Sequence, residues 1–191
     1  EAYLRGIERR LAAGLDPQVA SVASLFVSRW DVVVKDAVSP AFHNRLGIAI
    51  AMRTYQAYRD LLASTRWQRL AEAGARPQRL LWASTGTKDP VASETLYVEA
   101  LAAPDTINTI PEKTLQAFAD HGQVGVPLPA DGGDAQAVLE AFRHEGVDTD
   151  ALAARLQREG ADAFAVSWRT LLARIQEKSA SLAGIGVPPT R

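Results

Sequence analysis

Val19-Ala-Ser-Val-Ala-Ser-Leu-Phe-Val27 is a nearly continuous run of apolar and small residues, and it leads straight into Ser28-Arg29-Trp30-Asp31. Nine such residues without polar alternation describe a strand buried on both faces, as in a parallel sheet covered by helices. The polar residues gathered just after the run mark the strand's C-terminal end, where parallel βα architectures place their functional groups.

Working outward, the same arrangement recurs. Residues 1–11 read as a helix, with Leu4, Ile7 and Leu11 on one face and Gly14 placed as a stop. Nothing precedes Glu1 to cap that helix and no initiator Met stands there, so the chain is expected to start within something larger. After the first strand comes a long helix over about 41–63, marked by Leu46, Ile50, Tyr58, Leu61 and Leu62, then a shorter one over 67–73 ending at Gly74. Arg79-Leu-Leu-Trp-Ala-Ser84 is a second apolar strand, and 91–103 a helix stopped by Pro104. Thr106-Ile-Asn-Thr-Ile110 is a weaker strand, and Pro111 opens a helix that Gly122 closes. Strands alternating with helices predict an α/β fold with a parallel sheet and right-handed crossovers.

From Gln123 the pattern changes. Residues 122–133 form a Gly- and Pro-rich loop, followed by helices near 134–145, 150–159 and 161–183. Gly146 and Gly160 are read as separators, and Asp148 or Thr149 as the cap of the middle helix. Phe164, Trp168, Leu171, Leu172 and Ile175 share a helical stripe, expected to be core packing, and 184–191 reads as a loose tail. The domain reading is one domain over 1–191, with βα units in 1–122 and C-terminal helices and tail in 123–191.

Composition narrows the function classes. The 191 residues carry 21 basic and 22 acidic side chains, so no positive field favours nucleic acid or an anionic membrane. There are no cysteines, which removes disulfides, thiolate metal sites and cysteine nucleophiles together. No apolar run reaches the ~20 residues needed to cross a bilayer, and the first residues lack signal-peptide order. A cytoplasmic protein without membrane or nucleic-acid partners is expected. His43, His121 and His144 are scattered away from carboxylates at ligand spacing, so no metal is expected, and no residue pattern calls for a cofactor.

Two cations stand out. Arg29 and Lys88 each emerge just past a strand, with hydroxyls at Ser24, Ser28 and Ser84 close by in sequence. Cations, hydroxyls and loop N–H groups are what a phosphate dianion requires. Arg29 could equally pair with Asp31 or another surface carboxylate. Ser84-Thr-Gly-Thr-Lys88 is not a P-loop, because the upstream Gly and the Gly-Lys pair are missing. Only four lysines occur, Lys35, Lys88, Lys113 and Lys178, against 17 arginines, and none lies inside an apolar strand. A Schiff-base lysine needs a depressed pKa from burial or a neighbouring cation, so none of the four is read as catalytic.

Three segments carry a family resemblance: Val22-Ala-Ser-Leu-Phe-Val-Ser-Arg-Trp-Asp31, Arg79-Leu-Leu-Trp-Ala-Ser-Thr-Gly-Thr-Lys-Asp-Pro90, and Thr95-Leu-Tyr-Val-Glu-Ala-Leu-Ala-Ala-Pro-Asp-Thr-Ile-Asn-Thr-Ile-Pro111. In this order they resemble transaldolase, and the likeness covers about 1–182. The resemblance implies a (β/α)8 TIM barrel that moves a dihydroxyacetone unit between sugar phosphates through a lysine Schiff base, in the pentose phosphate pathway. It implies a substrate site made of Ser24, Phe26, Arg29, Ser84 and Lys88, with Arg29 on the substrate phosphate. Many family members use Arg as the second phosphate ligand; here a longer loop puts Lys88 in that role, which keeps the charge and gives up bidentate geometry.

The departure from the family is large. The resemblance implies that this chain supplies only the helix before strand six, strands six to eight and the extra C-terminal helices, since a whole barrel takes ~250 residues. The Schiff-base lysine and its acid–base partners would lie on strands ahead of Glu1. Two functions are therefore carried: the phosphate-binding part of a transaldolase completed by a missing N-terminal half or by self-association, and a non-catalytic sugar-phosphate-binding or interaction domain derived from that fold.

Overall fold

The computed structural model describes residues 1–184. Tertiary contacts divide the chain into a first unit, Glu1–Val147, and a second that begins at Asp148.

The first unit is built on a three-stranded parallel sheet of order β1-β2-β3. β1 (Ser21–Phe26) pairs with β2 (Gln78–Ala83) along its whole length, from Ser21↔Gln78 to Phe26↔Ala83. β3 (Thr106–Asn108) pairs with β2 from Leu80↔Thr106 to Trp82↔Asn108. The parallel α/β arrangement read from the sequence is therefore present. Its first strand is not buried on both faces, however: Val22, Ala23 and Ser24 are exposed, and β1 is an edge of the sheet. An apolar run locates a strand but not what lies against its faces.

Helices precede, connect and follow the strands. α1 (Ala2–Ala12) buries Leu4 and Ile7 against Trp67 and Leu70 of α4 (Thr65–Glu72), and Gly14 leaves α1 at φ 68°. α3 (Leu46–Ala63) lays Ala51, Tyr55 and Tyr58 on Leu80 and Trp82 of the sheet, together with Tyr97 and Leu101. Trp82 is 1% exposed, and its indole Nε1–H donates to the Leu101 carbonyl at 3.0 Å, so the largest core side chain also satisfies a helix end. α5 (Leu96–Ala100) and α6 (Glu112–His121) follow β2 and β3, and α7 (Ala135–His144) sets Phe142 edge-on to Phe42 at 5.1 Å.

Several boundaries differ from the sequence reading, each for a local reason. Between β1 and the long helix, where the sequence reading assigns no element, stands a short helix, α2 (Ser28–Val34), which buries Trp30, Asp31 and Val34. The helix expected over 41–63 begins only at Leu46, because Asn44 takes a left-handed φ of 60° after a 3-10 turn at Pro40–Phe42. The helix expected over 91–103 is confined to α5. Ahead of it, Asp89 and Ser93 accept from the Val91 and Thr95 amides, and such side-chain bonds compete with helix formation.

The second unit is α8 (Thr149–Gly184), capped by Asp148, whose Oδ1 accepts from the Asp150 and Ala151 amides at 3.0 and 2.9 Å. Here the sequence reading of two helices split at Gly160 is corrected. Gly160 sits inside one continuous helix; an interior Gly costs only ~1 kcal/mol, and no cap or proline accompanies it. The apolar stripe read as core is also corrected: Trp168 is 60% exposed, Ile175 55%, and Phe164, Leu171 and Leu172 are exposed as well. Periodicity locates an apolar face but not what covers it. The tail expected at 184–191 lies, beyond Gly184, outside the described residues. No helix of the described residues is long and apolar enough to cross a membrane.

Candidate functional site

Because all three strands run the same way, the residues after Phe26, Ala83 and Asn108 lie at one end of the sheet. The ladder continues past the strands at the first of these. The Val27 amide donates to the Ala83 carbonyl at 2.9 Å and the Ser28 amide to the Ser84 carbonyl at 3.1 Å. This draws two hydroxyls together, Ser28 Oγ and Ser84 Oγ at 2.9 Å. Ser28 is buried, while Ser84 is half-buried and holds a left-handed φ of 56°. A non-glycine residue there is strained by about 1 kcal/mol or more, and such strain persists only where neighbours enforce it. The ladder bond to its carbonyl and the Ser28 hydroxyl supply that enforcement. Thr85 follows, fully buried, donating to Asn108 Oδ1 at 2.8 Å.

Arg29 stands in the first turn of α2 with its guanidinium carbon 4.4 Å from the centroid of the Phe26 ring. The ring face attracts the cation and restrains it without consuming its N–H donors. The surface ion-pair alternative fails for Asp31, which is 5% exposed and engaged elsewhere; among the described residues Arg29 joins no salt bridge. Ser24 is exposed on β1, opposite Leu81 of β2.

Lys88 is exposed on the loop after β2 and lines two clefts, of about 160 Å³ and about 270 Å³. The smaller is shared with Lys35, Asn44, Asp89 and Tyr97, the larger with Lys113 and Thr114; Arg29 lines neither. Phe26 with Arg29, and Ser84 with Ser28, are thus in direct contact, while Lys88 stands on a separate cleft wall.

Four groups that sequence reasoning passed over organise this end of the sheet. Asp31 accepts from the Leu46 amide at 2.9 Å, the Gly47 amide at 3.1 Å and the Tyr97 hydroxyl at 2.8 Å. Burial pushes the Asp31 carboxyl above the usual carboxylate range, against the pull of those three donors, and burial beside this carboxylate drives the Tyr97 hydroxyl well above its ordinary value. Asp89 accepts from Asn44 Nδ2 at 2.9 Å and pairs with Lys35 at 3.4 Å; the Asn44 amide, then the Val91 N–H, hold its carboxyl below the ordinary value. Apart from Val91, the partners are separated by 15 to 66 residues in sequence, so no local spacing signals them. Lys113 is paired with Glu94 at 2.6 Å, which raises its pKa.

The sequence model of the transaldolase/fructose-6-phosphate aldolase family matches residues 5–175. A transaldolase of Parafrankia sp. (strain EAN1pec) is 46% identical over 96% of this chain and 52% of the relative. The transaldolase of Renibacterium salmoninarum is 44% identical over 97% of this chain and 52% of the relative, and that of Thiobacillus denitrificans 44% over 92% and 51%. The chain therefore spans about half the length of the curated relatives it matches.

Proposed function

This chain belongs to the transaldolase/fructose-6-phosphate aldolase family, and from that premise we propose that it supplies the sugar-phosphate-binding side of a transaldolase. In this reading β1, β2 and β3 are strands six to eight of a (β/α)8 barrel, 1–122 its βα units and 123–191 its C-terminal helices. The site is Ser24, Phe26, Arg29, Ser84 and Lys88. The observation that supports the reading is that Arg29 and Lys88 follow the C-terminal ends of two adjacent parallel strands, where Ser28 and Ser84 are in contact. Phe26 holds the Arg29 guanidinium with its donors available, and Lys88 adds a second positive charge from the next loop. Bonds from such cations to a phosphate oxygen are worth roughly 1.5–3 kcal/mol each.

The reaction is transfer of a dihydroxyacetone unit between sugar phosphates through a lysine Schiff base. Attack on a ketose carbonyl needs a largely neutral amine and an acid–base partner. Lys88 and Lys35 are exposed, Lys113 is held charged by Glu94, and Lys178 stands in α8, so none of these residues serves. The nucleophile belongs to further strands that complete the barrel by pairing with the exposed edge of β1. Exposure of Val22, Ala23 and Ser24 on a strand of buried-type composition supports such a cover.

Two measurements test the reading. Fructose 6-phosphate titrated calorimetrically into the 191-residue chain is expected to bind, and Arg29→Ala or Lys88→Ala to weaken it by ~1.5–3 kcal/mol. Equal binding by both variants and the parent would remove the anion site. Borohydride trapping followed by mass spectrometry is expected to leave the chain unmodified; a trapped adduct lost in Lys88→Ala would make Lys88 the nucleophile. Binding that persists without turnover after the remaining strands are supplied would favour the non-catalytic domain.

A further inference from the structure

Two buried carboxylates have no role in the binding chemistry just described, yet each stands beside one of its cations. Asp31 lies two residues after Arg29 and is 5% exposed; Asp89 lies next to Lys88 and is 7% exposed. Both are held by one segment, residues 44–47, though by different members of it, and Asp89 also takes the Val91 amide and Lys35. Asn44 donates its side-chain amide to Asp89 at 2.9 Å, while the Leu46 and Gly47 amides donate to Asp31 at 2.9 and 3.1 Å. Tyr97, which donates to Asp31, shares the cleft of about 160 Å³ with Asp89, Lys88 and Asn44.

The segment is shaped for this double task. Asn44 adopts the left-handed backbone that Asn tolerates better than most residues, and that turn precedes the first residues of α3. Gly47 admits no side chain: a Cβ there would stand 2.6 Å from Asp31 Oδ2 and 2.6 Å from the Val27 carbonyl. The close approach fixes α3 against the end of β1, and Asn44 reaches from there to the loop after β2. A displacement of either loop must therefore break a bond to residues 44–47.

We infer that Asp31 and Asp89 are positioning residues of the anion site, each holding one cation-bearing turn, α2 with Arg29 or the loop with Lys88, through the shared brace at residues 44–47. The inference rests on the reading of Arg29 and Lys88 as phosphate ligands. Asp31 and Asp89 themselves repel an anion, and both line the cleft that Lys88 lines, so they add no affinity of their own. What they supply is register, since a cation on a free loop loses affinity to ordering entropy while a braced cation does not.

Asn44→Gly isolates this effect, because glycine accepts the left-handed backbone while the donor to Asp89 is removed. Fructose 6-phosphate is titrated calorimetrically into the parent chain, Asn44→Gly, Lys88→Ala and the double variant, with inorganic phosphate as a second probe. Asn44→Gly is expected to weaken fructose 6-phosphate binding on the order of tenfold, and to have no further effect once Lys88 is gone. That coupling distinguishes a brace acting through Lys88 from a general loss of stability, which would lower affinity equally in both backgrounds. Tyr97→Phe, which keeps the ring and removes the donor to Asp31, is expected to behave likewise toward Arg29→Ala. Lys88→Ala weakening binding while Asn44→Gly is neutral, or additive with it, overturns the brace and leaves the site intact. Lys88→Ala and Arg29→Ala both without effect, or a parent chain that binds neither probe, overturns the site and the brace together.

Discussion

Gly47→Ala tests the packing at the base of α3. Taken from sequence alone, the change replaces a helical Gly by the best helix former and should stabilise by up to ~1 kcal/mol. The structure reverses the sign. The added methyl would lie 2.6 Å from Asp31 Oδ2 and 2.6 Å from the Val27 carbonyl oxygen, and the latter is backbone that cannot swing aside. If α3 retreats, the Leu46 and Gly47 amides, now 2.9 and 3.1 Å from the carboxylate, lose bonds worth roughly 1.5–3 kcal/mol each to a charged acceptor. If it stays, overpacking costs ~1–3 kcal/mol. After the propensity gain is set against either loss, Gly47→Ala is expected to destabilise by ~2 kcal/mol. For a chain of this size that lowers Tm by roughly 4–8 °C. Gly6→Ala is the matched control, because Gly6 lies inside α1 with nothing within 4 Å of its Cβ position. It is expected to stabilise by ~0.5–1 kcal/mol. Urea and thermal unfolding followed by circular dichroism read both variants. A Gly47→Ala protein as stable as Gly6→Ala would refute the close approach of Asp31 to α3.

Asp89→Asn is expected to destabilise at neutral pH, with the difference from the parent closing as the solution is acidified. The Asp89 carboxyl is held below its ordinary value, so its contribution is present above that value and is lost as pH falls through the depressed one. A difference that grows on acidification would contradict the assignment. Trp82→Phe removes the bond to the Leu101 carbonyl and part of the largest fully buried side chain, and is expected to cost ~2–3 kcal/mol. The same variant should lose the most blue-shifted tryptophan emission; an unchanged spectrum would show that Trp82 is not the core indole.

The chain's own residues announced the parallel α/β pattern, because a strand covered on both faces must be apolar throughout and a crossover helix must be amphipathic. Val19 to Val27 and Arg79 to Ser84 carried that signal, and the strands pair as it required. Arg29, Lys88 and Ser84 were legible as candidates because strand ends can be located from apolar runs alone. What the sequence left open concerned everything set by partners far along the chain. Gly160 looked like a stop, yet a helix ends where caps and packing end it, and α8 runs through. The stripe at Phe164, Trp168 and Ile175 was legible as a face, but its exposure was not, since burial belongs to the neighbour as much as to the residue. Asp31 and Asp89 looked like ordinary surface acids, and only the tertiary fold brings Asn44, Leu46, Gly47 and Tyr97 to them. Periodicity is a property of consecutive residues and survives in the one-dimensional text. A carboxylate's burial, pKa and purpose depend on donors that the chain delivers only after it has folded back on itself.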